Sequence, residues 1–312
     1  MKQALTPSED RILDCEIKDE TGLNDFHKLP DLFGIDIDKV GINRFRIPLL
    51  FKHRDGTVMN HDSVASMYIH FPKGKAGINM SRLYEILQQE AADTVVDIRL
   101  FKNILTRFRL DMRDSAGDPE YPESFLKLRF NYPVKQKALK SDRYGWQYYS
   151  CVLEGYQNKD GAFKLYLTVC YEYSSTCPCS LSMSKQYESE HAQSKVEEGN
   201  GIAVPHSQRS EARVTVEVPL DQEYYPEDLI DLLRRAIPTE TQSFVKRVDE
   251  QAFAVLNAQN PMFVEHVTRR LCLVLNDDKR IKDWVASVEH WESLHSHNAV
   301  AVIRKGVPGG LR

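Results

Sequence analysis

The chain has 312 residues, 42% of them hydrophobic and 28% charged, with a formal net charge of −4. That is ordinary globular composition, enough for one large domain or two modest ones, and it offers no basic excess to drive nucleic-acid binding. No run approaches 18 apolar residues and the opening MKQALTPSED lacks a signal peptide's apolar core, so a cytoplasmic protein without membrane contact is expected.

Residues 1–30 are polar and carry no sustained period; they read as an N-terminal arm. Ile35 to Phe51 and Val64 to Phe71 read as strands. Two helices are predicted next, over Met80–Gln89 and over 95–112, where Ile98, Phe101, Leu105, Phe108 and Met112 recur at spacings of 3 and 4. Ser124–Val134 and Gly145–Tyr156 return to extended structure. The second half repeats this order. Phe163, Leu165, Leu167, Val169 and Tyr171 alternate with less apolar neighbours, a period-2 strand, and 211–219 is another. Helices are expected over 225–237, 249–258 and 261–275, the last opened by Asn260-Pro261. Residues 285–303 read as strand. Strand–strand–helix–helix–strand–strand, twice, indicates an α+β fold. Boundaries near 31–156 and 157–312 divide two modules, and the Ser-, Glu- and Gln-rich stretch 181–205 reads as an exposed polar insertion in the second.

The chemistry concentrates in the second half. Six cysteines in a chain this long are too few for a disulfide framework, which leaves thiols for metal or catalysis. Cys177, in Ser175-Thr176-Cys177-Pro178-Cys179-Ser180, stands at the end of an apolar strand. A small buried residue and a reactive or ligating thiol are both open readings for it, and Cys179 is a neighbour or a further thiol. His206, in His206-Ser207-Gln208-Arg209-Ser210, precedes the next strand. A thiolate and an imidazole can share a transition-metal ion, and an open position would let that ion activate water. Arg209 suits a phosphate or carboxylate, or a surface ion pair. His295 and His297 stand at i and i+2 in a predicted strand, so both imidazoles should share one face, as ligands, acid–base groups or a polar edge. On the same parity argument His290 and Glu292 face away. Glu250 and Glu265 are the carboxylate candidates. Glu250 opens a helix, where a carboxylate also favours the N-terminus. Glu265 points away from the stripe of Phe263, Val267, Leu271 and Val274, which suits either solvent or the N1–H and amino group of a guanine edge.

Taken in order, STCPCS, HSQRS, KRVDE, NPMFVE and ESLHSH resemble GTP cyclohydrolase I of type IB, a metal-promiscuous bacterial family with the tunnelling fold (T-fold). The resemblance covers most of residues 35–305 in element order. It implies tandem T-fold modules that assemble into a barrel, as a homotetramer with sites near subunit interfaces. It implies a metal site at Cys177, His206 and Glu250 for one divalent ion (Zn, Mn or Fe(II)) and no organic cofactor. Glu265 would anchor the guanine of GTP, Arg209 would bind substrate, and His295 and His297, with Cys177, would serve catalysis. The implied reaction hydrolyses GTP at C8 to formate and 7,8-dihydroneopterin triphosphate, which feeds tetrahydrofolate and 7-deazapurine synthesis. One departure stands out. Short members have a much closer spacing from cysteine to histidine than the 29 positions between Cys177 and His206, and the insertion brings its own His191. Two other readings carry different chemistry: an NADPH-dependent T-fold nitrile reductase of queuosine synthesis, and a non-catalytic protein with a structural zinc site.

Overall fold

The computed structural model describes residues 17–19, 21–31, 33–113, 120–191 and 202–311. Most of the N-terminal arm and residues 192–201 of the polar insertion therefore lie outside the described residues. Eight strands and six α-helices succeed one another in the doubled order: β1 (Ile37–Lys52), β2 (Val58–Phe71), α1 (Ser81–Ala91), α2 (Ile98–Leu110), β3 (Glu123–Lys137), β4 (Tyr144–Asn158), then β5 (Phe163–Thr176), α3 (Pro178–His191), β6 (Ser207–Glu217), α4 (Pro226–Ala236), α5 (Arg247–Gln259), α6 (Val264–Asp277), β7 (Trp284–His290) and β8 (Ala299–Arg304). Strands adjacent in the chain are adjacent in the sheet, from β1 to β8. This is the α+β order the sequence predicts, with one helix and one strand more than the segments read from it.

The chain divides into two compact units. One comprises residues 1–51, 62–128 and 154–164. Its core is the apolar face of α1 and α2, where Leu83, Leu87, Phe101, Leu105 and Phe108 are all buried. Asp97 starts α2 by accepting from the Leu100 N–H at 2.7 Å, an N-cap. Gly155 on β4 admits that helix: a Cβ there would stand 2.7 Å from the Phe101 ring.

The other unit comprises residues 52–61, 129–153 and 165–312. Strands β5 to β8 pair antiparallel in it, with Val169 opposite Val214, Val214 opposite Ala286, and Ala286 opposite Ile303. Val169, Val214 and Ala286 are buried on one face. Helices α4 and α6 pack on each other, and α6 packs on β7 and β8. Burying Leu271 and Leu275 of α6 removes apolar area worth about 1.5–3 kcal/mol per side chain. Trp284, fully buried, donates its indole N–H to Asn276 at 3.1 Å and so fixes α6 against β7.

Three expectations change. The stretch 285–303 is not one strand: β7 ends at His290, and residues 291–298 form a turn before β8. The insertion opens as helix, because α3 runs through His191. Only Ser184 of α3 is buried, so no apolar stripe marked it in the sequence. Finally, α6 starts at Val264 rather than 261, because the Met262 N–H bonds to the Thr176 carbonyl at the end of β5.

Candidate functional site

The β5–β6 ladder decides where Cys177 and His206 lie. Its register runs to Thr176 opposite Ser207, and one step further the Cys177 N–H donates to the His206 carbonyl at 3.3 Å. The two residues are thus the open end of a hairpin, side by side whatever the length of chain between them. Cys177 also begins α3, since its carbonyl accepts from the Leu181 N–H. His206 is anchored through its own N–H, which donates to Ser180 Oγ at 3.1 Å. Its ring Nδ1 lies 3.1 Å from Gln208 Oε1 and 3.8 Å from Glu292 Oε2. His191 lies at the end of α3, its Nδ1 2.9 Å from the Tyr187 carbonyl and its ring stacked on Tyr187.

Beside this hairpin end is a cavity of about 480 Å³, lined among others by Tyr173, Ser207, Gln208, Arg209, Gln242 and Glu250. The α4–α5 connection forms one wall. It runs alongside the end of β5, where Thr239 both donates to and accepts from Ser174 and the Thr241 N–H donates to the Glu172 carbonyl. Buried Glu240 locks it in place, accepting from Arg234 Nε at 2.9 Å, from Gln136 Nε2 at 3.0 Å and from the Tyr149 hydroxyl. Asp249 then fixes the start of α5. Its fully buried carboxylate accepts from the N–H groups of Lys140, Ser141 and Lys246 and from Ser141 Oγ. Those donors, the Ser141 hydroxyl first, hold the carboxyl well below the usual carboxylate range. The next residue, Glu250, is exposed and lines the cavity.

The β7–β8 turn reaches the same end of the sheet. The Trp291 N–H donates to the Arg209 carbonyl at 3.2 Å, and the Arg209 guanidinium lies 5.4 Å from the Trp291 ring. Arg209 also meets Glu172 at 3.5 Å. Because β7 ends at His290, strand parity does not govern residues 291–298. Glu292, expected to face away, instead approaches His206. His295 and His297 sit in the turn, exposed, and their rings stack with centroids 5.0 Å apart. Their pairing is as expected, but it comes from a turn and not from a strand face.

Glu265, exposed on the first turn of α6, lies close enough to His290 to influence its charge. His290 is buried and meets the Tyr173 hydroxyl at 2.8 Å. Burial pushes its pKa down to about 4, with Glu265 opposing part of that shift. Burial likewise raises the Tyr173 phenol.

A thiol and an imidazole at adjoining positions have the donor chemistry of a divalent transition-metal site. Among the described residues no three His, Cys, Asp or Glu side chains are grouped to hold such an ion. The donor types fit, and the chain sets two of the three expected ligands next to each other. Glu250 faces the neighbouring cavity. Gln208, Tyr173, Trp291 and Glu292 are parts of this site that the sequence did not single out. Gln208 and Glu292 lie inside the HSQRS and ESLHSH motifs, and that proximity was the available signal.

An α+β chain with a thiol–imidazole hairpin end beside a cavity of about 480 Å³ fits the class of proteins with a concave small-molecule site. Comparison with known proteins narrows the class. The family described as type I GTP cyclohydrolase folE2 matches residues 23–301, and this chain belongs to that family. GTP cyclohydrolase FolE2 of Cereibacter sphaeroides is 40% identical over 270 residues, 86% of this chain and 70% of that protein. The protein of the same name from Ruegeria pomeroyi is 41% identical over 271 residues, 86% of this chain and 69% of that one. Among solved structures, a uricase from Bacillus fastidious aligns with a TM-score of 0.48 at 8% identity, over 85% of this chain and 92% of that chain. Uricase from Arthrobacter globiformis aligns at 0.46 and 6% identity, over 86% and 94%. No helix among the described residues is long and apolar enough to cross a membrane.

Proposed function

We propose that this chain is a metal-dependent GTP cyclohydrolase I, which hydrolyses GTP at C8 to formate and 7,8-dihydroneopterin triphosphate. The observation that carries the reading is the hairpin end that keeps Cys177 beside His206 in a chain of the folE2 family. That membership disfavours the nitrile-reductase and structural-zinc readings. Cys177, His206 and Glu250 are the proposed ligands of one divalent ion per site, with Zn, Mn and Fe(II) all compatible with S/N/O donors, as in the metal-promiscuous type IB. When bound, such an ion supplies Lewis acidity that activates water near neutral pH.

The chain's own groups do the rest. The Glu265 carboxylate accepts from guanine N1–H and the exocyclic amine together, which orients the base. Arg209 offers its guanidinium to the anionic end of the substrate. His295 and His297 supply the proton to the ring nitrogen that is released as the bond to C8 breaks. Residues 1–30, 31–156 and 157–312 are proposed as arm and two T-fold modules, which assemble into a barrel-forming homotetramer in the cytoplasm with sites near subunit interfaces. The test is direct: load the apoprotein with Mn, Fe(II) or Zn, add GTP, oxidise and dephosphorylate, and measure neopterin fluorescence. Absence of neopterin with every metal would sink the reading.

A further inference from the structure

We propose that Gln208 is a positioning residue for His206: its amide oxygen holds the imidazole by Nδ1, so that Nε2 carries the free lone pair. The proposal rests on the reading of His206 as a metal donor. Gln208 is 8% exposed, and its side chain bridges two groups, His206 Nδ1 to Oε1 at 3.1 Å and Ser175 Oγ from Nε2 at 2.9 Å. Ser175 is fully buried and is tied in turn to Ser210 Oγ at 2.8 Å. Ser175 is pinned in the β5–β6 ladder opposite Gln208, and the His206 backbone is held by Cys177 and Ser180, so the amide has a fixed partner at each end.

An amide can be turned end for end without changing its outline, so its neighbours must decide which atom faces the ring. A serine hydroxyl can donate or accept and does not discriminate. Glu292 does. An ionised carboxylate only accepts, and at 3.8 Å from Nδ1 it favours a hydrogen on that nitrogen. With hydrogen on Nδ1, the amide atom facing the ring must be the oxygen, and Nε2 is left as the donor atom for a cation. Glu292 itself is too far for a hydrogen bond, so it biases the proton while Gln208 holds the ring. Orientation of a ligating imidazole through its other nitrogen is a general device of metal sites.

The test measures Co²⁺ affinity of the full chain by competition with a chromophoric chelator, alongside the thiolate-to-cobalt absorption that reports Cys177. Gln208→Leu should weaken Co²⁺ binding about 10–100-fold, while Gln208→Glu, which keeps an acceptor of the same reach, should stay within about threefold of wild type. His206→Ala separates the two layers of argument. If it leaves Co²⁺ affinity unchanged, His206 is not a donor and the underlying reading falls. If it weakens binding but Gln208→Leu does not, the role of Gln208 alone is overturned. Equal losses in the Leu and Glu variants would also overturn it, because they would reflect disturbed packing. Should Gln208→Leu fail to fold, Ser175→Ala removes the amide's far anchor with little change of volume. It should lower affinity by roughly 3–10-fold, and an unchanged affinity would count against the proposal.

Discussion

The two strand-joining turns in the first half of the chain are short and closed, whereas their counterparts in the second half carry most of the residues proposed for the chemistry. Between β1 and β2, residues 53–57 close through the His53 N–H to the Thr57 carbonyl at 2.8 Å, with Gly56 at φ 89° supplying the left-handed position. Between β3 and β4, residues 138–143 close through Ala138 and Arg143, and Asp249 pins them. The equivalent connections further on are 177–206 and 291–298. The first holds Cys177 and His206 at its ends. The second holds Trp291, Glu292, His295 and His297. Strands fix these turns at one end of the sheet, and the turns differ freely because little of the core depends on them. Cys177 and His206 stand 29 positions apart in the chain, yet the register that ends with Thr176 opposite Ser207 brings the two residues together regardless.

If the ends of that hairpin hold the chemistry, breaking them should produce the largest effect. Cys177→Ala should lower turnover at least about a thousandfold, the equivalent of roughly 4 kcal/mol. Cys151→Ala, on a buried strand position of β4, should leave the specific activity of the folded protein nearly unchanged. Neopterin formation per folded protein checks both, and activity lost equally in the two would remove the distinction between turn and strand thiols.

Next in size is the effect of His290, which belongs to strand β7 and not to the turn after it. Its imidazole is buried neutral, with a pKa of about 4 against an ordinary 6.5. The unfolded chain therefore takes up the proton first, and stability falls with acid. The contribution is fully present above about pH 6.5 and declines down to about pH 4, by about 3 kcal/mol in all. His290→Gln, which keeps a partner for Tyr173, should flatten the slope of unfolding free energy across that window in urea titrations. An unchanged slope would assign the acid sensitivity elsewhere. Below this comes Glu265→Ala, which should raise KM for GTP roughly thirtyfold, since about 2 kcal/mol is lost when two guanine donors are left unpaired. An unchanged KM with inosine and guanosine triphosphates alike would remove Glu265 from base recognition.

The same comparison explains what was legible in the sequence. Strands such as β5 announce themselves, because Leu165, Leu167, Val169 and Tyr171 are buried at period 2. Helix α2 is equally plain from Phe101, Leu105 and Phe108. Turns are less so, since their geometry is set by distant partners. The run from Trp291 to Asn298 has neither glycine nor proline, and it closes through the Asn298 amide donating to Glu289 at 2.7 Å. That contact has no periodic signature, so the parity argument carries on past the true strand end and turns Glu292 the wrong way. Helix α3 escapes for the opposite reason: it lacks the apolar face by which periodicity finds helices. The residue types for chemistry are visible in their motifs. The side chains proposed to orient them, Gln208 above all, come into contact with them only once β5 and β6 are paired.

The smallest expected effect gives the sharpest test of the comparison. Residues 183–203 can be replaced by a short Gly-Ser turn that retains Cys177 to Ser182 and Val204 to Arg209. Ser184 is the one buried residue of α3, so removing the rest of that helix costs little packing. Loop closure changes by only about 0.6 kcal/mol for each halving of length. The hairpin register, the Cys177–His206 backbone bond and the Ser180 anchor all lie within the retained residues. Stability should therefore shift by less than about 1 kcal/mol and turnover should stay within roughly fivefold of the full chain. Co²⁺ affinity, read by the same chelator competition, should not change. A large fall in turnover with Co²⁺ affinity intact would mean that the segment supplies groups to the substrate and is more than a spacer. A fall in both would show that the ladder alone does not hold Cys177 to His206, and the resemblance between the two halves would then end at β5.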